Sequence, residues 1–88
     1  MFNTITLFIN TNADSYILTI RNNGQVIENL TINNNLGTFV NSYNIFSGSL
    51  QVTVSPINNN FQESAITKTF CNENECNSLY LNFNFHLK

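Results

Sequence analysis

The apolar residues of this chain recur with a period of two almost everywhere, and that constrains its fold more than any other feature. In "FNTITLFIN" Ile5, Leu7 and Ile9 share a face, in "SYILTIR" Tyr16, Leu18 and Ile20, and in "SLQVTVS" Leu50, Val52 and Val54. The last stretch, "SLYLNFNFHLK", sets Leu79, Leu81, Phe83, Phe85 and Leu87 against Tyr80, Asn82, Asn84 and His86. Successive side chains of an extended strand point to opposite faces, so this alternation predicts half-buried strands, and no stretch holds a helical period. "QVIENLTI" (Val26, Leu30, Ile32, with Glu28 intruding), "GTFVNSYNIF" (Phe39, Tyr43, Ile45) and "AITKTFC" (Ile66, Phe70) bring the count to seven strands. Asn-, Gly- and Ser-rich breaks separate them. The expectation is an all-β sandwich of seven antiparallel strands.

Register can be argued at two turns. Around "RNNGQ" a two-residue turn in a regular ladder would pair Ile20 with Ile27 and split the apolar residues between faces. A three-residue loop, Asn22 to Gly24, instead pairs Ile20 with Val26, Leu18 with Glu28 and Tyr16 with Leu30, with Gly24 left-handed in a bulge. In "CNENEC" a four-residue hairpin loop would set Cys71 opposite Cys76, Thr67 opposite Tyr80 and Ile66 opposite Leu81. Directly opposed Cα atoms lie about 4.5–5.5 Å apart, within disulfide reach, so Cys71 and Cys76 can form a staple on the polar face.

Eighty-eight residues make one domain, residues 1–88, with a single core. The surface is unusual. Charged residues are 9% of the chain, against roughly 25% in ordinary domains, and Asn fills about a fifth of it. An AT-rich genome would favour Lys as well as Asn, Ile and Phe, so codon usage alone does not produce it. Amides keep a surface wet without like-charge repulsion, and so tolerate close packing against neighbours. A net charge of −2 and only Arg21, Lys68 and Lys88 as cations leave no basic stripe for nucleic acid. No apolar run approaches the ~18–20 residues of a membrane span, and no leader pattern opens the chain. The product is expected to stay in the cytoplasm of the producing cell or to leave it by lysis or a non-standard route.

Few residues could carry chemistry. One His, one Asp (Asp14) and four Glu would have to supply every acid, base or ligand. His86 falls on the outward face of the terminal strand, and Glu63, Glu73 and Glu75 fall in loops. No phosphate loop, nucleophile elbow or metal pair is present, so the chain is expected not to be an enzyme and to need no cofactor. Zinc through Cys71, Cys76 and His86 lacks a fourth ligand. Calcium through Glu73 and Glu75 lacks the run of acidic oxygens. Two exposed thiols over a solvated turn is the plain reading. Glu28, on the apolar side of its strand, is expected to mark an edge or bulge, where an inward charge blocks aggregation, or to pair with Arg21 or a partner's cation.

"YILTIRNNGQVIENLTI" followed by "YNIFSGSLQVTVSPI" resembles immunoglobulin-like and prealbumin-like β-sandwich modules, in which a hairpin closed by Asn/Asp-Gly precedes a turn glycine and an alternating strand. The resemblance implies a seven-stranded antiparallel immunoglobulin-like β-sandwich and, by itself, no activity. The tryptophan and the inter-sheet cysteine pair of antibody domains are missing. The whole profile also resembles auxiliary capsid, or decoration, proteins of tailed phages. That implies a non-enzymatic structural or interaction protein, located in a virion, whose partners are capsid or other assembly subunits, or itself. Phe8, Phe46, Tyr80 and Glu28 are the candidate interaction surface. A small ligand-binding module, for glycans as an example, is the second expectation, because amides and aromatic faces suit sugars. A small inhibitor or regulator of a host protein is the third.

Overall fold

The computed structural model describes residues 2–33, 37–71 and 80–87. Among the described residues eight strands form: β1 (Phe2–Thr11), β2 (Ser15–Asn22), β3 (Gln25–Asn33), β4 (Phe39–Phe46), β5 (Leu50–Asn58), β6 (Phe61–Gln62), β7 (Ile66–Phe70) and β8 (Tyr80–Phe85). Each of the seven expected stretches holds one, and β6 is a two-residue addition. They make two sheets. One has the order β4-β1-β8, and the other β3-β2-β5, with β6 and β7 following one another along the far edge of β5. Pro56 lies on β5 between the residues that pair β7 and those that pair β6, where a missing N–H costs no ladder bond.

The alternation sets the core. Ile5, Leu7 and Ile9 of β1 and Leu81, Phe83 and Phe85 of β8 face Tyr16, Leu18 and Ile20 of β2 and Leu50, Val52 and Val54 of β5, all buried. Phe85 meets Tyr16 and Phe83 edge-on, with ring centroids 5.8 Å apart in both pairs, a geometry favoured by the ring quadrupoles. The strands at the rims, β3, β4 and β7, bury far less.

Three expectations are corrected. First, β8 runs parallel to β1, from Thr6 opposite Tyr80 to Thr11 opposite Phe85, so that sheet is mixed and the sandwich is not antiparallel throughout. Parallel neighbours need a long connection, and nearly the whole chain lies between these two strands. An immunoglobulin sandwich keeps its first strand with its second, fifth and fourth. Here the first strand lies between the fourth and the last.

Second, β7 and β8 are not a hairpin. β7 pairs β5, placing Ile66 opposite Val54 and Thr67 opposite Thr53, while Tyr80 and Leu81 sit in the other sheet. Both stretches alternate, but each buries its apolar side from a different layer.

Third, the β2–β3 hairpin has a two-residue turn. Asn22 pairs Gln25, and Asn23 and Gly24 have φ of 53° and 84°, as a type I′ turn requires. A bulge beyond Arg21 opposite Val26 absorbs Ile27, so Glu28 falls opposite Ile20, Leu30 opposite Leu18 and Ile32 opposite Tyr16. The extra residue restores the phase that a regular ladder would lose. Val26 is left outward and half exposed.

Asparagine side chains close the ends of the sandwich. Asn22 is buried, donates from Nδ2 to the carbonyls of Phe46 (3.1 Å) and Ser49 (2.9 Å), and accepts from the Phe46 N–H at 2.7 Å. Asn23 donates to the Ser47 carbonyl (3.0 Å) and accepts from the Ser49 N–H (2.8 Å). Gly48 has φ 125°, and a Cβ there would collide with the Asn23 side chain. At the other end Asn12 binds both the N–H and the carbonyl of Leu87, each at 2.7 Å, continuing the β1–β8 ladder with a side chain. Asp14 and Asn58 fasten the Asn59-Asn60 turn in the same way.

Candidate interaction face

Because Ile5, Leu7 and Ile9 point inward, Thr4, Thr6, Phe8 and Asn10 form the outer spine of the β4-β1-β8 sheet. Their cross-strand neighbours arrange the face in rows. Asn44 flanks Thr4, Ser42 and Tyr80 flank Thr6, Val40 and Asn82 flank Phe8, and Asn84 flanks Asn10. Side-chain bonds tie the polar rows together. Thr4 Oγ1 donates to Asn44 Oδ1 (2.7 Å), and the Thr6 and Ser42 hydroxyls share a bond at 3.0 Å. Thr38 Oγ1 donates to Asn10 Oδ1 (2.6 Å), and Asn10 Nδ2 to Asn84 Oδ1 (3.0 Å). Each side chain spends its donor or acceptor on a neighbour at fixed strand spacing, which holds the rows in place.

Within these ladders lies an apolar centre. The Phe8 and Tyr80 rings stand 6.3 Å apart at 37°, and Val40 and Tyr80 are 51% and 66% exposed. Phe46, 64% exposed, lies at the far end of the same face, two rows beyond Ser42. No acidic or basic side chain stands on these strand positions, and His86 follows just past the end of β8. So Phe8 and Tyr80 come together, Phe46 shares their face at a distance, and Glu28 belongs elsewhere.

Glu28 faces the gap between the sheets, at the rim formed by β3 and β4, where its carboxylate acts on the Tyr43 hydroxyl. Arg21 is on the opposite, outer face beside Val26 and Gln51, so it is not the partner. Burial raises the Tyr43 pKa above its ordinary value, the bond from Asn41 Nδ2 (3.3 Å) opposes this, and the Glu28 charge raises it further. Tyr16 lies near Tyr43, wholly buried, with no partner for its hydroxyl among the described residues. Burial, and then the Tyr43 hydroxyl, push its pKa up to about 12.

The opposite rim carries a residue the sequence reading passed over. Lys68 pairs Val52 on the inward side of β7. Its Nζ reaches the Asn82 carbonyl on β8 (3.5 Å) and lies 5.1 Å from the centroid of the Phe70 ring. Strict alternation through Ile66, Lys68 and Phe70 was the available signal.

The candidate chemical groups stay scattered. Asp14 holds a turn, Glu63 follows β6, and His86 is exposed. Among the described residues no three His, Cys, Asp or Glu side chains are grouped to hold a metal. Cys71 is disulfide-bonded and packs against the core. Cys76, Glu73 and Glu75 lie outside the described residues. Among those described, no helix is long and apolar enough to cross a membrane. Compared with known proteins, the chain matches no family model, no curated protein and no solved structure.

Proposed function

We propose that the protein is a non-enzymatic structural or interaction protein, an accessory, decoration-type component of a virion or other large assembly. It docks through the outer face of the β4-β1-β8 sheet. The observation that carries this reading is the Phe8–Tyr80–Val40 centre enclosed by hydroxyl and amide ladders without charge. Protein interfaces have this anatomy, with aromatic residues at the middle, charge depleted and a hydrogen-bonding rim. The charge-poor composition of the chain suits packing among many close neighbours. Of the two sandwich types the sequence resembles, the strand order departs from the immunoglobulin one, and our reading is the prealbumin-like type. Cys76, the only other cysteine, is the proposed partner of Cys71.

The test compares the protein with its Tyr80→Lys variant for co-sedimentation with particles and large assemblies from the producing cell. Tyr80 is exposed, so the variant folds. Saturable binding by the parent, weakened at least ~10-fold in the variant, supports the reading. Equal binding by both, or none by either, refutes it. The second reading, a glycan-binding module, draws on the Tyr80 ring with the Asn82 and Asn84 amides beside it. It is read from the same two proteins on a glycan array.

A further inference from the structure

The two sheets have four edges, and they are not alike. β3 carries a bulge and the inward Glu28. The β8 edge has Lys68 on its Asn82 carbonyl. The edge beyond β5 is broken between β6 and β7. Inward charges, bulges and short strands are the usual means of keeping edges from pairing with other chains. β4 has none of them. It runs eight residues, "FVNSYNIF", without charge, proline or register shift against β1, and among the described residues no strand lies on its other side.

The occupant of that edge can be read from its pattern. Val40, Ser42, Asn44 and Phe46 face outward, and a two-fold axis through Tyr43 would set Val40 opposite Phe46 of a second copy and Ser42 opposite Asn44. Like then meets like on the outer face, while on the inner side Tyr43 meets Tyr43 and Asn41 meets Ile45. Shifting the register by two residues either way sets Val40 opposite Asn44 or Phe46 opposite Ser42. The favoured register also extends rows already present. Phe8–Val40 continues into the second copy's Phe46, and Thr6–Ser42 continues into its Asn44 and Thr4. Val40 and Phe46, 51% and 64% exposed in the single chain, cover one another.

We infer that the protein forms a two-fold dimer by antiparallel pairing of β4 with β4 of a second copy, centred on Tyr43, giving a continuous six-stranded sheet. Such an interface is isologous and closes at two subunits. Two amides already bond this edge. Asn41 Oδ1 accepts from the Ser42 N–H at 2.9 Å and gives up that donor to the partner ladder, while Asn22 keeps both the N–H and the carbonyl of Phe46. The ladder bonds between copies therefore run between Ser42 and Asn44, and Val40 meets Phe46 through side chains alone. The seam shares Val40 with the proposed docking face, and the cross-link below reads the seam whatever that face binds.

Sedimentation velocity from 1 to 200 μM would show a species of twice 10.0 kDa, with Kd raised at least ~10-fold by Phe46→Lys, which sets a cation against Val40 of the other copy. Register is read by oxidative cross-linking. Opposed Cα atoms in an antiparallel pair are within disulfide reach. A mixture of Ser42→Cys and Asn44→Cys proteins should therefore cross-link, and neither variant alone should. A monomer at every concentration overturns the inference. So does a dimer indifferent to Phe46→Lys, or one that cross-links through either single variant.

Discussion

Asn22→Asp replaces one side-chain atom, and its effect follows from what that atom touches. Nδ2 donates to the carbonyls of Phe46 and Ser49, and Oδ1 accepts from the Phe46 N–H. The new carboxylate keeps the acceptor but turns an oxygen toward two carbonyl oxygens at a site only 5% exposed. Losing two bonds costs about 2 kcal/mol. Burying an anion beside like dipoles raises the total to about 3–5 kcal/mol at pH 7. A domain of this size has roughly 4–13 kcal/mol in all, so much of the chain would be unfolded in low urea. The folded-state pKa of the new carboxyl is raised above its unfolded value of ~3.9. Its protonated form donates to one carbonyl again, so the recovered stability is complete below pH ~4 and is lost as pH rises through the folded pKa. Urea titrations at pH 3.5 and 7 on parent, Asn22→Asp and Asn22→Ala measure this. The Asp deficit should shrink by about 2 kcal/mol at the lower pH, while the Ala deficit stays constant. A pH-independent Asp deficit, or one under about 1 kcal/mol at pH 7, would refute the clasp as the link between hairpin and sheet.

Gly48→Ala meets the same clasp from the other side, combining a left-handed φ with a collision against Asn23. A loss of about 2–4 kcal/mol is expected by urea titration. Tyr16→Phe deletes a buried hydroxyl without a partner and should stabilise by about 1 kcal/mol near neutrality; destabilisation would mean the hydroxyl is satisfied. Because the Tyr16 pKa is raised to about 12, its ionisation takes nothing from the fold below pH ~10, and stability falls by up to about 2–3 kcal/mol as pH climbs through 12. Melts between pH 9 and 12 should show Tyr16→Phe losing less than the parent. Lys68→Thr should change stability by about 1 kcal/mol or less, since its contacts are partly solvated, yet increase light scattering on heating by baring the β8 edge.

The strands were legible because their apolar residues must fall on one side, and nothing else satisfies that period. Their partners were not, because an alternating stretch does not say from which layer it covers the core. β7 and β8 follow one another in sequence yet belong to opposite sheets, and β8 joins the first strand of the chain. The β2–β3 turn misled for a narrower reason. A regular ladder made Asn23-Gly24 look wrong, and the bulge at Ile27 is invisible until the faces of both strands are known. The candidate face was half legible. Phe8 and Tyr80 were each read as outward, but only the parallel β1–β8 register brings them together. The asparagines signalled turns without showing that Asn12 and Asn22 would bind main chain across the molecule.

The scarcity of charge makes its placement informative. With so few charged residues, long-range repulsion does little to keep copies of this chain apart. Yet two of them, Glu28 and Lys68, point inward, each on an outermost strand of the wider sheet. An inward charge on a buried ladder would be costly. At a rim it reaches across to the other sheet, as Lys68 does to Asn82 and Glu28 to Tyr43, and an incoming strand would have to displace it. Those charges therefore protect edges where pairing with another chain would be uncontrolled. β4 has no such residue, and its outward side chains match themselves about Tyr43. An edge left open by oversight would show neither the flanking guards nor the self-complementary order. Introducing a charge there, as Phe46→Lys does, should make β4 behave like its neighbours and leave a stable monomer.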